Sequence, residues 1–477
     1  MMVGKGTVVR SMLWKLMERG SIQLVSFVVT LVLARIMGPT EYGLVSLVTV
    51  FTSLAAVIVD GGFSSALIQR KDADEVDYSS ALVLTVAISG ILYLALLLAA
   101  PAIADMYSEP RLVAITRAIA ALILIGAFNS IQVAFASKHF MFRQLFVSNL
   151  LSSVLSGFIG IVLALQGLGV WALVAQQLAR QTLACIVMFV TVGWKPTFAF
   201  SFDSVKDLFS FGKNVLAGNL LVSFFLNVRS MIIGLICDAT VLGYFNRGRQ
   251  FSSTMMEAIG GSIQDVLFPT FAVVQDDTAF VKKLVRRAIR LSCFVIFPLM
   301  FGLAVCGPAL VEVLLGEAWT GCVPYLQLFA ISYLFHPIQT ITAQALRGIG
   351  NSNTTLRIEL VRKTIEFLLL IISIPLGPLA FAGSAIVSGM LGCLVAMGVN
   401  QRELNYVVRE QFGDVAFPLI ASMLMCASMT VSVVTVDSGI VTLALQVLIG
   451  PIAYFFLSKA AHREELGDLF AMLRERA

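Results

Sequence analysis

The chain reads as a succession of long apolar runs separated by short polar connections. About 20 apolar residues cross a hydrocarbon core of ~30 Å as a helix. Backbone groups in lipid must be satisfied within their own segment, so each run predicts a helix. Fourteen runs are predicted. Six centre on residues 21–37, 42–60, 79–104, 113–136, 145–165 and 170–192, and six more on 215–237, 251–274, 291–315, 323–346, 356–376 and 379–399. The last two are 417–436 and 440–457. The first run follows Lys5, Arg10, Lys15 and Arg19 with no small-residue cleavage site behind it, and reads as an uncleaved first helix rather than a signal peptide.

Composition sharpens this picture. Of 477 residues, 58% are hydrophobic and 13% charged, against roughly 25% charged in soluble domains. A soluble enzyme, a disordered chain and a secreted disulfide scaffold are excluded. The runs do not alternate, which excludes an outer-membrane barrel. The seven cysteines are scattered through apolar stretches without a CxxC or Cys/His cluster and read as small packing residues. The fold class is an all-α polytopic membrane protein.

The cations give an orientation. With the N-terminus cytoplasmic, all but six of the 33 Lys and Arg fall on inner connections or tails. Arg180 is assigned with Lys195, Lys206 and Lys213 to the connection between the halves, and Arg357, Arg362 and Lys363 to a later one. Both termini are then cytoplasmic. The six exceptions are Arg35, Arg111, Arg117, Arg229, Arg247 and Arg249. Outer connections such as 38–41 and 166–169 are too short to fold alone, so function is expected within the helical bundle.

A weak internal repeat appears at an offset near 200. Gly38-Pro39-Thr40-Glu41-Tyr42-Gly43 lies over Asp238-Ala239-Thr240-Val241-Leu242-Gly243, and Gly61-Gly62 over Gly260-Gly261. Pro101-Ala102-Ile103-Ala104-Asp105 lies over Pro308-Ala309-Leu310-Val311-Glu312 at offset 207. Six spans per half is even, which predicts two parallel lobes with a site between them. The expected divisions are 1–200 and 201–405 for the two six-helix lobes and 406–477 for two extra helices and a tail. Residues 193–212 read as an interfacial amphipathic helix or a tether between lobes.

The stretch LARIMGPTEYGLVSLVTVF (33–51) with GGFSSALIQR (61–70) resembles the polysaccharide-transporter branch of the multidrug/oligosaccharidyl-lipid/polysaccharide flippase superfamily, of the lipopolysaccharide and colanic-acid exporter type. IIGLICDATVLGYFNRGRQF (232–251) and VLFPTFAVVQDD (266–277) resemble the same family. The resemblance implies two six-helix lobes around a central cavity, alternating access, and a lipid-linked oligosaccharide substrate. Where many relatives carry an acidic residue in an Asn-x-Asp stretch, this chain reads Asn227-Val228-Arg229, which reverses the charge at an intramembrane position.

A charge inside a span faces a cavity or a partner. Arg229 either lines the cavity, where a guanidinium fork suits phosphate oxygens, or ties helices together. Arg35 either lines the cavity or snorkels. Arg117, Arg247 and Arg249 read singly as interfacial anchors; together these cations are expected to form a basic zone that draws a pyrophosphate headgroup outward. The substrate-binding candidates are Arg229, Arg35, Arg117 and Arg247. Ion-coupling candidates are Asp60, ahead of Gly61-Gly62, and His336, ahead of Pro337, although a packing histidine is the plainer reading of the latter. Glu257 and Asp265 are further acidic groups within spans. Glu366 with Arg362, and Glu359 with Lys363, have i,i+4 spacing and read as structural pairs. No catalytic constellation, metal site, Gly-rich phosphate loop or cofactor motif is present, and nothing points to nucleic acid. The expected activity is flipping an undecaprenyl-pyrophosphate-linked oligosaccharide, with membrane lipids, a polymerase and glycosyltransferases as partners. A cation-coupled multidrug exporter is the alternative, and a membrane glycosyltransferase or polymerase is disfavoured for want of sizeable outer loops.

Overall fold

The computed structural model describes residues 22–197, 199–273, 277–435, 439–461 and 465–467, with only the backbone of 258–270, 272–273, 352–353 and 432–435. The N-terminal arm, His462 and the side chain of Asp265 lie outside the described residues, as do the surroundings of Gly260 and Gly261 and most side chains of 266–277.

No strand occurs among the described residues. The helices are α1 (Ile22–Ile36), α2 (Pro39–Asp60), α3 (Phe63–Gln69), α4 (Glu75–Met106), α5 (Leu112–Lys138), α6 (Phe142–Leu165), α7 (Val170–Val192) and α8 (Phe202–Ile236). They continue as α9 (Ala239–Val273), α10 (Thr278–Leu315), α11 (Val323–Tyr333), α12 (His336–Gly348), α13 (Ser352–Ser373), α14 (Pro378–Leu404), α15 (Val408–Thr435) and α16 (Gly439–Ala460). Among the described residues, ten segments are long and apolar enough to cross a membrane, α2 and α3 counting as one. The protein is a polytopic helical membrane protein. Four runs read from the sequence are helical but miss that mark. The described part of α1 is short, and α9 carries Asn246, Arg247, Arg249 and Gln250. The run at 323–346 breaks at Leu334-Phe335 into α11 and α12, and α13 carries five charges between Arg357 and Glu366.

Helix boundaries follow local chemistry. Asp74 and Asp77 form a reciprocal capping box that starts α4: the Asp77 amide donates to Asp74 Oδ1 at 2.8 Å and the Asp74 amide to Asp77 Oδ2 at 3.2 Å. Gly61 and Gly62 both adopt left-handed φ values, 55° and 75°, which end α2 and restart the chain as α3. Ser201 caps α8, which runs unbroken through Ile236. Residues 202–212 are therefore the first turns of a long helix and not a separate interfacial one. Val205 and Leu208 are buried there, while Lys206 and Asp207 are exposed.

The chain divides into two compact units after Gly243, within α9. In the first, α2 packs on α4, α5, α7 and α8, and α6 packs along α7. One apolar cluster gathers Phe63, Leu67, Tyr78, Ile131, Trp194 and Leu208. The repeated hexapeptides meet within this unit. Thr40 Oγ1 lies 2.9 Å from Thr240 Oγ1. A Cβ on Gly43 would come within 1.7 Å of the Ala239 carbonyl oxygen, and one on Gly243 within 2.1 Å of the Pro39 oxygen. The offset of 200 carries 39, 40 and 43 onto 239, 240 and 243, so the contact is reciprocal between the two stretches. In the second unit, α10 packs on α11, α12, α14, α15 and α16.

Candidate functional site

The sequence-predicted cations of the first unit sit at different depths of burial. Arg35 near the end of α1 and Arg117 in the second turn of α5 are exposed. Arg229 on α8 is buried at 5% exposure and engaged by a neighbouring group. Beside it, Asn227 Nδ2 donates to the Ser223 carbonyl at 2.8 Å. Asp60 is half-buried at the α2–α3 break, where the Ser64 hydroxyl donates to its Oδ1.

In the second unit Arg247 is buried at 6% exposure. Its guanidinium lies 5.3 Å from the Trp319 ring centroid, and Nη1 donates to Gln250 Oε1 at 2.8 Å. Arg249 is half-buried and Glu257 exposed. His336 opens α12 directly after the break; its Nδ1 lies 3.1 Å from Thr340 Oγ1 and its ring 5.9 Å from that of Tyr333.

Two placements differ from the sequence reading. Arg180 lies in the middle of α7, not on a cytoplasmic connection. Arg357, Arg362 and Lys363 likewise lie within α13. The α13 charges do pair along one helix, with partners exchanged: Arg362 with Glu359 and Lys363 with Glu366, both at 2.9 Å and i,i+3 spacing. The i+3 and i+4 positions are both neighbours on a helix surface, so spacing alone does not choose between them.

Sequence reasoning also missed two features of the second unit. A cavity of about 470 Å³ opens between α10, α15 and α16, lined by side chains such as Phe294, Leu303, Met425, Met429 and Val447. Within this apolar lining Gln446 is buried, and its Oε1 has no hydrogen-bond partner among the described residues. At one end of α10, Asp414 accepts from Arg286 Nε at 2.6 Å, Arg286 Nη2 at 3.0 Å and the Tyr406 hydroxyl at 2.6 Å. Lys282 pairs with Glu410 at 2.9 Å and donates to the Asn405 carbonyl at 2.8 Å. Burial, and then the bond to Asp414, push the Tyr406 phenol well above its usual range, so it donates as a neutral hydroxyl.

Guanidinium groups on these helices can hold phosphate oxygens in forked hydrogen bonds, and the cavity beside α10 is lined almost wholly by apolar side chains. No group of three or more His, Cys, Asp or Glu side chains among the described residues could hold a metal ion.

Comparison with known proteins gives a consistent picture. Residues 32–324 match the model of a family described as polysaccharide biosynthesis protein. The teichuronic acid biosynthesis protein TuaB of Bacillus subtilis (strain 168) is 26% identical over 343 residues, 71% of each chain. The succinoglycan biosynthesis transport protein ExoT of Rhizobium meliloti (strain 1021) is 26% identical over 353 residues, 73% of this chain and 70% of its own. Among solved structures, the lipid II flippase MurJ in an inward closed conformation matches 95% of this chain and all of its own, with a TM-score of 0.75 at 14% identity. An inward-facing MATE family transporter of the MOP superfamily matches 81% of this chain and 96% of its own, with a TM-score of 0.64 at 16% identity. At such identities these two likenesses concern the fold. The family match over more than half the chain decides membership: this protein belongs to the polysaccharide biosynthesis protein family.

Proposed function

We propose that this protein is a flippase that moves a lipid-pyrophosphate-linked oligosaccharide repeat unit from the cytoplasmic to the outer leaflet of the bacterial inner membrane, by alternating access, for surface polysaccharide synthesis. In this reading the chain crosses the membrane fourteen times with both termini cytoplasmic. Two parallel six-helix lobes (1–200 and 201–405) are followed by two extra helices and a tail (406–477). It is a transporter that performs no catalytic step and needs no cofactor, and its pathway partners are glycosyltransferases and a polymerase.

The observation that carries the proposal is a set of guanidinium groups on the helices of a polytopic membrane protein that belongs to a polysaccharide biosynthesis family. A sugar headgroup cannot cross hydrocarbon unaided, whereas cationic side chains inside a bundle suit a diphosphate. Arg229, Arg35, Arg117 and Arg247 are the proposed substrate-binding residues, and Asp60 and His336 the proposed ion-coupling groups. The apolar cavity beside α10 supports a substrate that carries a lipid chain. The relatives' names, which speak of teichuronic acid biosynthesis, succinoglycan transport and lipid II flipping, point the same way. The MATE-like fold favours a cation-coupled drug exporter as second reading, but such a pump needs cavity carboxylates for cationic drugs, and where the family resemblance implies an acid in many relatives this chain carries Arg229. The test is surface polysaccharide export by a deletion host complemented with Arg229→Ala or Arg35→Ala chains. Loss of export with the protein still in the membrane is expected, and wild-type export by both variants would overturn the basic zone.

A further inference from the structure

We infer that Arg180 is a further anion-binding residue, holding the substrate's phosphates near the middle of the membrane; this deepens the flippase reading and rests on it. Arg180 lies ten residues after Val170 and twelve before Val192 on α7, about 15–18 Å from either helix end at ~1.5 Å per residue. A long cationic side chain near a helix end can reach the interface, but one at mid-helix cannot. It therefore faces either lipid or a polar opening.

The face it occupies decides between these. Trp171, Ile186, Phe189 and Val190 are the exposed large apolar side chains of α7. At 3.6 residues per turn Trp171 and Phe189 lie opposite Arg180, Ile186 about 120° and Val190 about 80° away from it, and these four form the lipid-facing stripe. Arg180 shares its own side with Leu173 and Ala184, both buried, and with the half-buried Gln176 and Gln177. Gln176 packs so closely on α6 that a Cβ on Gly160 would come within 2.8 Å of it. That side of α7 is turned toward other helices. Arg180 is nevertheless exposed, and among the described residues it has no hydrogen bond or ion pair.

Carboxamides flank it on α7 at Gln176, Gln177 and Gln181, and others lie on α5, which packs against α7. Gln181 Nε2 lies 3.6 Å from where a Cβ on Gly126 of α5 would be. Further along α5, Asn129 Oδ1 and Gln132 Oε1 are buried and unpartnered among the described residues. A guanidinium without a carboxylate partner, set among carboxamides, fits a diphosphate carrying hydroxyl-rich groups.

The experiment uses the full chain in native membranes with its seven cysteines replaced by serine. Arg180→Cys is expected to react with a membrane-impermeant maleimide while Ile186→Cys, on the lipid stripe, does not; equal behaviour of the two would overturn the orientation. Gln177→Cys keeps Arg180 and reports on the same face. Inorganic pyrophosphate is expected to slow its modification, and that protection should vanish when Arg180→Gln is added. Absence of protection, or protection that survives Arg180→Gln, would overturn the anion assignment. These labelling readouts do not depend on what the protein exports. In the export assay Arg180→Ala is expected to lower surface polysaccharide by about tenfold or more, the loss of one charge-assisted contact, with partial rescue by Arg180→Lys. Undiminished export by Arg180→Ala would remove Arg180 from the substrate path, whereas loss of labelling with export intact would leave the flippase reading standing.

Discussion

Replacing Asp414 by Asn should loosen the corner between α14 and α15. Asn keeps the shape and one acceptor for Tyr406, but gives up the negative charge that the Arg286 fork meets at 2.6 and 3.0 Å. Hydrogen bonds to charged groups contribute about 1.5–3 kcal/mol each when buried. The Asp414 side chain is only 7% exposed but that of Arg286 is 39% exposed, so solvent screening lowers the expectation for the pair to about 1–2 kcal/mol. The measurement is a double-mutant cycle with Arg286→Met, Asp414→Asn and the double variant, following reversible unfolding in mixed micelles of the purified protein. Each single variant should be destabilised, and the coupling term should reach about 1–2 kcal/mol. Strictly additive single effects would mean that the two side chains do not sense each other, and the geometry of this corner would be wrong.

Two further outcomes follow from close contacts and from charge. Gly43→Ala and Gly243→Ala should each destabilise the protein at the upper end of the ~1–3 kcal/mol range for overpacking, because the obstructing atoms are backbone oxygens that no rotamer change can move. Gly90→Ala and Gly383→Ala, where a Cβ meets nothing within 4 Å, should be neutral or slightly stabilising; equal melting temperatures for all four variants would refute the packing argument. In the connection between α4 and α5, hydrogen bonds from Arg111 hold the Glu109 carboxyl below its ordinary value of 4.5. Its contribution to stability is therefore complete above that value and is lost as pH falls through the lowered one. Glu109→Gln should remove a small acid-side slope in stability, no more than ~0.5 kcal/mol, since such solvent-screened pairs contribute little. A larger loss at pH 7 than at pH 3 beyond that size would contradict the assignment.

The sequence announces its helices because lipid demands runs of a fixed length, and that demand is written in residue type alone. What it conceals is where a run ends when polar residues lie inside it. Arg180 falls inside the run predicted over 170–192, yet the charge tally places it on the connection that follows, because a cation among Gln176, Gln177 and Gln181 suits a polar end as well as a helix interior. The same holds for α13, whose charges pair with each other rather than mark an end. The α14–α15 corner was invisible for another reason. Arg286 and Asp414 are 128 residues apart, and nothing local in either segment signals the partner. Gly43 and Gly243, in contrast, are legible in the sequence as members of a repeat.

The contact between the two copies has an evolutionary consequence. Because Gly43 abuts Ala239, one helical turn before Gly243, and Gly243 abuts Pro39, one turn before Gly43, a bulkier residue acquired in either copy collides with main chain encoded some 200 codons away. Drift in one duplicate is thus policed by the other, and relaxation at this spot requires paired change. The surface is also self-matching: hexapeptides in the same register supply both sides of the joint.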